Sequence, residues 1–184
     1  DYAGNAKLEG KTWAVFIEDT LDLSDKFKLT LGNRYDHDEK FGDHNSPRAY
    51  LVFLPSEDWA IKGGVASGFR APTIKESTAG AATQSGGNGC TSLASMGYIS
   101  GGCYMAGNAD LQPEKSTNYE IGVNYTGFGT DLGLTFFHTD FKNKIDYSPL
   151  GYYYGTWFTR NENIQKAVTR GIEMVVHFPI LDNR

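Results

Sequence analysis

Two cysteines, Cys90 and Cys103, are the residues of this chain whose type and spacing could most directly do chemistry. They enclose a short loop in a segment rich in Gly and Ser, and no histidine lies nearby to complete a zinc site. Their spacing is not that of a Cys-x-x-Cys redox motif. A disulfide is the favoured interpretation, and in a loop of this size an unstrained bond contributes about 3 kcal/mol. Such a bond indicates an oxidising location, the periplasm or the cell surface.

A cluster of Asp36, His37, Asp38 and His44 contains residue types that could bind a metal. Alternation along a strand places His37 on the face opposite Asp36 and Asp38, which breaks the chelate. The chain also lacks a Ser-His-Asp set, a Cys-His pair, a phosphate-binding loop and a catalytic pair of carboxylates. We therefore predict no metal site and no enzymatic activity.

The composition is that of a folded β protein. Apolar residues make up 40% of the 184 residues, aromatic residues 14%, and there are 22 glycines with 11 Tyr and 11 Phe. The net charge of −5 without a basic patch argues against a nucleic-acid partner. No run of eighteen apolar residues exists, which excludes a transmembrane helix.

Apolar and polar residues alternate along most of the chain, the pattern of strands with two different faces. About seven strands are predicted, each near the ten residues that a tilted membrane-spanning strand requires. They cover Thr12–Leu21, Phe27–Asp38, Ser46–Leu54, Trp59–Phe69, Tyr119–Tyr125, Leu132–Phe136 and Ile172–Phe178.

The connections between these strands alternate in length. Short turns are predicted at Asp22–Lys26, Pro55–Asp58 and Thr126–Thr130, and aromatic residues lie beside them. Long polar loops are predicted at about 40–45, 70–115 and 142–165. Short turns at one end, long loops at the other and aromatic rings at a boundary are typical of an outer-membrane β-barrel. Seven antiparallel strands do not close in the usual even number, so we expect a section of a larger barrel.

A soluble β-sandwich also alternates and also contains hairpins. Two features argue against it here. The predicted strands are longer than the five or six residues usual in a sandwich. Their polar faces also carry charges such as Arg34, Lys62 and Glu173, as expected for a wet lumen.

Six segments form an ordered series over essentially the whole chain: KTWAVFIEDT (Lys11–Thr20), LGNRYDHDEKFGDHNSPRAYLV (Leu31–Val52), KGGVASGFRAPT (Lys62–Thr73), NADLQPEKSTNYEIGVNY (Asn108–Tyr125), TDFKNKI (Thr139–Ile145) and RGIEMVVHFPI (Arg170–Ile180). Together they resemble TonB-dependent outer-membrane siderophore receptors, specifically the ferric enterobactin and catecholate branch. The cysteine-containing GGCYMAGNADL also resembles the corresponding loop of enterobactin receptors.

This resemblance implies an all-β, antiparallel transmembrane barrel of 22 strands with a plug in its lumen, located in the outer membrane of a Gram-negative bacterium. It implies import of a ferric siderophore with energy from the TonB–ExbB–ExbD system. Lipid and lipopolysaccharide would surround the barrel, and iron would be carried by the siderophore, so no cofactor is expected. We expect residues 1–184 to be middle-to-late strands, with the plug, the TonB box and the final strand absent from the segment.

A ferric catecholate siderophore is large, aromatic and anionic, so the resemblance calls for rings to stack on and for cations, among which arginine serves both purposes. We expect lumen-facing or plug-facing roles for Arg34, Arg48, Arg70 and Glu173, where structural ion pairs are the main expectation. The candidate ligand contacts are Tyr98, Tyr104, Tyr152, Tyr153, Tyr154, Trp157 and Arg160, for each of which packing within the loops is the alternative.

Two other functions remain open from the sequence. One is a passive, substrate-specific pore, which would need neither plug nor energy coupling. The other is a soluble secreted β-domain that binds carbohydrate or protein.

Overall fold

A computed structural model describes residues 8–85 and 88–179 of the chain. The last residue of the resembling segment Arg170–Ile180 lies outside these ranges. The described residues form nine strands and a 3₁₀ helix, η1. The strands are β1 (Thr12–Ser24), β2 (Phe27–Asp38), β3 (Gly42–Ser56), β4 (Trp59–Arg70), β5 (Ala82–Ser85), β6 (Cys103–Ala106), β7 (Glu114–Gly127), β8 (Thr130–Tyr153) and β9 (Thr156–His177), with η1 at Asn88–Met96 between β5 and β6.

All nine strands belong to one open sheet with the order β1-β2-β3-β4-β7-β8-β9-β6-β5. The pairs are antiparallel except β6 with β9, which is parallel. The seven long strands are those predicted from alternation, and at 12 to 24 residues each can cross a bilayer. This confirms the all-β barrel-wall prediction. The two short strands, β5 and β6, were not predicted.

One face of the long strands is apolar, and we call it the apolar face. Cross-strand partners continue it from strand to strand, as in the row Ile61–Val123–Leu134–Met174. Its side chains are strongly exposed, for example Ile172 at 69% and Met174 at 71%. The fully buried apolar side chains of the described residues, Cys90, Leu93, Cys103 and Leu111, all lie outside the long strands. A sheet without a core of its own is expected of a wall whose apolar face meets lipid, and not of a soluble sandwich.

The opposite face, here called the polar face, carries a cross-strand network. Arg48 on β3 forms an ion pair with Glu18 on β1. Next to it on β3, the Tyr50 hydroxyl donates a hydrogen bond to Glu120 on β7. Thr139 Oγ1 on β8 donates to Asn118 Oδ1 on β7 at 2.7 Å. These contacts fix the register of several strands from the side that lies away from the apolar face.

Two-residue turns close the hairpins at one end of the sheet. They lie at 25–26, 57–58 and 128–129, close to the predicted positions. Phe128 and Gly129 have φ of 52° and 72°, the positive pair that a type I′ hairpin turn requires. Aromatic rings pack beside these turns: Phe27 stacks on Phe53 at 4.6 Å, and Trp59 meets Tyr125 in a tilted arrangement at 4.9 Å between ring centroids.

At the other end, two of the three predicted loops are wrong in extent. The predicted loop 40–45 is a three-residue turn at 39–41, because Asp38 Oδ1 accepts the N–H groups of Lys40 and Phe41 at 2.9 Å each and closes the chain tightly. The predicted loop 142–165 is the far half of the β8–β9 hairpin. Tyr154 and Gly155, with φ of 51° and 79°, form a tight turn at its tip. The predicted loop 70–115 remains, as a connection over 71–113 that contains β5, η1 and β6.

Candidate functional site

The disulfide predicted between Cys90 and Cys103 is present, and it anchors the connection between β4 and β7. Cys90, Cys103 and Leu93 are completely buried, and Tyr98 and Trp157 pack against them. Trp157 belongs to β9, so the disulfide cluster joins η1 and β6 to the far half of the β8–β9 hairpin. We call residues 71–113 the insert and the β8–β9 residues beyond Lys142 the hairpin extension.

Backbone contacts dock the insert along the edge of β9. The parallel pairing of β6 aligns Tyr104 with Phe158 and Ala106 with Arg160. Further along, Asn163 forms two hydrogen bonds of 2.8 Å with Gln112, because its Oδ1 accepts from the Gln112 N–H and its Nδ2 donates to the Gln112 carbonyl. The side chain thus imitates a strand partner where no strand is present. Sequence reasoning missed Asn163, and a single amide in a polar segment carries no periodic signal.

The predicted aromatic contacts divide between the two faces of β9. Trp157 and Phe158 are consecutive in a strand and point in opposite directions. On the Trp157 side, Tyr98 and Tyr152 meet the indole edge-on at 6.1 and 5.2 Å between ring centroids. On the Phe158 side, Tyr104 stacks on Phe158 at 5.7 Å. The seven predicted residues do not converge on one site.

The pairing of β8 with β9 shows which of these faces continues the polar face. The register is constant from Asp131–His177 to Pro149–Thr159, without a bulge. Odd-numbered residues of β9 therefore stay on one side, from Glu173 on the polar face up to the buried Thr159 and on to Trp157. Trp157 and Tyr152 belong to the continuation of the polar face, and Phe158 and Tyr104 to that of the apolar face.

The three tyrosines near the hairpin tip are accessible. Tyr152 and Tyr153 are each more than half exposed. Tyr154, in the turn, is fully exposed. Trp157 and Tyr98 instead pack against the disulfide cluster. Packing within the loops was the alternative to ligand contact for each of the seven candidate residues.

The predicted arginines are all neutralised by carboxylates of their own chain. Arg34 pairs with Asp36 at 2.8 Å, while Arg48 pairs with Glu18. Arg160 pairs with Glu162, and its hydrogen bond is the main cause that lowers the pKa of that carboxyl group. Glu173 lies exposed on the polar face, opposite Thr135.

Arg70, at the end of β4, pairs with Glu76 in the insert at 3.1 Å. Glu76 Oε2 also accepts the Thr73 N–H at 2.8 Å, while its own N–H donates to Thr73 Oγ1, which is the reciprocal arrangement of a capping box. Burial raises the pKa of Glu76, but the Thr73 backbone hydrogen bond and Arg70 outweigh it, so the pKa is lowered. Glu76 was not predicted, although the Thr-x-x-Glu spacing signals such a turn.

Neither a metal cluster nor a spanning helix is found in the part of the chain that the structure describes. No group of three or more His, Cys, Asp or Glu side chains there could hold a metal ion. No helix among residues 8–85 and 88–179 combines the length and apolar character needed to cross a bilayer.

Comparison with known proteins decides the family. The family model "TonB dependent receptor-like, beta-barrel" matches residues 2–180. The chain belongs to the TonB-dependent receptor β-barrel family. It is therefore an outer-membrane protein of a Gram-negative bacterium, and its apolar face is the lipid-facing side of the wall.

Several relatives have names that refer to iron or siderophores. The iron-regulated outer membrane virulence protein of Vibrio cholerae is 40% identical over 96% of this chain and 26% of its own length. The ferric enterobactin receptor of Pseudomonas aeruginosa is 33% identical over 97% of this chain and 24% of its own length. The crystal structure of the siderophore receptor PirA from P. aeruginosa superposes with a TM-score of 0.82 at 32% identity, covering 94% of this chain and 32% of that one. The chain spans about a quarter of the length of the curated relatives it matches.

Proposed function

We propose that the receptor to which this barrel section belongs binds a ferric catecholate siderophore of the enterobactin type and imports it with energy from the TonB system. The observation that carries the proposal is the similarity to receptors named for ferric enterobactin, which extends through the insert and the hairpin extension. Iron is cargo in this scheme, held by the siderophore. The named relatives are receptors and not enzymes.

The long-loop end would face the outside, since outer-membrane barrels have short periplasmic turns and longer extracellular loops. The insert, braced by its disulfide, would then form part of the wall of an outer vestibule. Arg34, Arg48, Arg70 and Glu173 would lie towards the plug, where the ion pairs of the arginines within this chain favour structural roles.

Tyr152 is the most promising ligand contact among the predicted residues. It is exposed, and it lies on the continuation of the polar face, towards the lumen. The Trp157 indole packs edge-on against the Tyr152 ring, at 5.2 Å between ring centroids. This contact restricts the Tyr152 side chain in the free protein, so ligand binding would cost less conformational entropy. Tyr153 and Tyr154 at the tip are secondary candidates, while Tyr98 and Trp157 would support them from beneath. Tyr104 and Arg160 face the other way and would contribute least.

Uptake by the full-length receptor tests the function. The receptor is expressed in Gram-negative cells that lack their own catecholate receptors, and accumulation of ⁵⁵Fe is measured with ferric enterobactin and with a ferric hydroxamate. We expect accumulation of the catecholate only, abolished by a protonophore or by deletion of TonB. Uptake that persists without TonB would establish the passive pore instead. Equal uptake of both complexes would refute catecholate selectivity.

Binding by the purified receptor tests the contact. Loss of one stacked aromatic ring is worth about 0.5–1.5 kcal/mol, so Tyr152→Ala should raise the Kd for ferric enterobactin about 2- to 10-fold. Tyr104→Ala removes the same ring from the opposite face and should leave the Kd within about twofold. Equal effects of the two substitutions would contradict the assignment of faces.

A further inference from the structure

One carboxylate, Asp19, lies on the apolar face of the wall. Ile17 and Leu21 flank it on that face of β1, in the same alternation of side chains. Its cross-strand partner on β2 is Leu31, which is also apolar. The Asp19 side chain is exposed. Because the apolar face is the lipid-facing side of the barrel, this carboxylate points into the bilayer.

The position of Asp19 along β1 is near the middle of the bilayer. At the long-loop end of β1, Trp13 stacks on His37 at 5.2 Å between ring centroids, and at the short-turn end Ser24 pairs with Phe27. At about 3.3 Å per residue and a tilt near 40°, Trp13 and Ser24 are separated by roughly 28 Å along the membrane normal, close to the apolar band of about 25 Å between two aromatic girdles. Asp19 lies about halfway between these ends, where a charge that faces lipid costs most.

Residues 8–85 and 88–179 do not supply a counter-charge for Asp19. It forms no ion pair and no side-chain hydrogen bond within these ranges. The other carboxylates in this part of β1, Glu18 and Asp22, lie on the polar face, where Glu18 pairs with Arg48 and Asp22 with Lys28. The sheet separates both cations from Asp19. An ionisable side chain within a membrane usually pairs with an opposite charge, so the partner of Asp19 must come from elsewhere.

The free edge of β1 indicates where that partner lies. β1 is the first strand of the sheet, paired with β2 on one side and with no described strand on the other. A closed barrel has no edges, and the chain spans about a quarter of the length of its relatives, so a further strand of the receptor must pair with β1 there. The residue directly opposite Asp19 on that strand lies on the same face, with its Cβ about 4.5–5.5 Å from that of Asp19.

We propose that Asp19 forms a lipid-facing ion pair with a lysine or arginine on the strand that pairs with the free edge of β1. The pair joins the two strands in the middle of the bilayer, where water does not screen the attraction between the charges. It also fixes the register of that strand against β1, since a shift by one residue would turn the cation to the other face. The proposal concerns the closure of the barrel, and it is independent of which ligand the receptor imports.

The sign of a stability change tests this proposal. The full-length receptor in phosphatidylcholine vesicles is unfolded with guanidinium chloride, and the unfolded-to-folded ratio at the wild-type midpoint is measured by heat-modifiable gel mobility. Asp19→Leu should raise this ratio about 30-fold or more, because it leaves a cation without a partner in hydrocarbon. If Asp19 had no partner, leucine would replace a charge that faces lipid, so an unchanged or lowered ratio overturns the proposal. Asp22→Leu is the matched control: it removes a carboxylate from an exposed pair on the polar face of the same strand and should change the ratio less than about fivefold.

A second set of variants identifies the partner, even if Asp19→Leu alone does not fold. Asp19→Cys is combined with single cysteines along the adjoining strand, and the disulfide that forms most readily marks the residue opposite position 19. The proposal is refuted if neither that residue nor either of its lipid-facing neighbours on the strand is a lysine or arginine. Replacing the basic residue by leucine in the Asp19→Leu receptor should return the ratio to within about fivefold of wild type, because an apolar pair then replaces the ion pair. A double variant no more stable than Asp19→Leu would equally refute the pairing.

Discussion

The disulfide between Cys90 and Cys103 spans a sequence separation of 13 residues and lies in a fully buried cluster. Replacing both cysteines by serine removes the constraint on a loop of this size, which is worth about 3 kcal/mol from chain entropy. Because the insert contacts the rest of the sheet through β6, η1 and the hairpin extension, we expect this loss to act on docking of the insert and not on the barrel wall. A loss of about 3 kcal/mol corresponds to an increase of about 150-fold in the population of the undocked insert.

Hydrogen–deuterium exchange on the full-length receptor measures this effect region by region. Amides of η1 and β6 should exchange about 100-fold faster in the double serine variant, while β1 to β4 should keep their wild-type rates. Leu93→Ala provides a matched comparison, because it creates a cavity in the same cluster, costing about 2–5 kcal/mol, and leaves the covalent loop intact. If the serine variant changed exchange in the insert less than threefold, or accelerated it equally in β1 to β4, the insert would not be a separately docked unit held by this bond.

Two further changes act on the same docking. The pKa of Glu76 is lowered in the folded protein, so its contribution to stability is fully present above the pKa of the unfolded state, near 4.3, and is lost as the pH falls through the pKa of the folded state. Hydrogen exchange at residues 71–78 should therefore rise only below about pH 4.5. Glu76→Gln should remove this pH dependence. Asn163 makes three side-chain hydrogen bonds of 2.8 Å, two with Gln112 and one to the Asn143 carbonyl. Asn163→Leu removes all three, so hydrogen exchange should show the free energy of local opening around Gln112 lowered by about 2–4 kcal/mol. Asn163→Asp keeps the acceptor for the Gln112 N–H but sets a carboxylate oxygen against the Gln112 and Asn143 carbonyls, so it should cost at least as much; a clearly smaller cost would contradict the proposed role of the two donated hydrogen bonds.

The long strands could be predicted because each separates two different media. Where one face meets lipid and the other water, residues must alternate, and β2 was predicted to the residue, β4 to within one residue and β1 to within three. In the hairpin extension, Trp157 packs against the disulfide cluster and the strands do not separate lipid from water along their length, so Lys142–Gln165 does not alternate regularly and was predicted as a loop. The turn signal at Tyr154–Gly155 was present there but lay within a run of aromatic residues.

The candidate site could be predicted in its residue types but not in its arrangement. The disulfide followed from spacing and composition, and the accessible tyrosines at the tip were among those named. That Trp157 and Phe158 point to opposite faces could have been expected only if the segment had been recognised as a strand. The docking of the insert depends on β6 and on Asn163, whose contacts join residues about 50 positions apart and leave no local pattern.

The distribution of charge limits how this section of the wall could attract an anionic siderophore. Arg34, Arg48, Arg70 and Arg160 each face a carboxylate of the same chain, so none of them offers an uncompensated positive charge. Lys62, by contrast, lies on the polar face without an ion pair among the described residues. Truncating Arg160 alone would leave the Glu162 carboxylate unpaired and make this region more negative. A weaker affinity of that variant for an anionic siderophore would therefore not show that Arg160 contacts the ligand. Under the proposed function, recognition by this section would therefore rest on accessible rings such as Tyr152 and on Lys62, and further cations would come from outside this section.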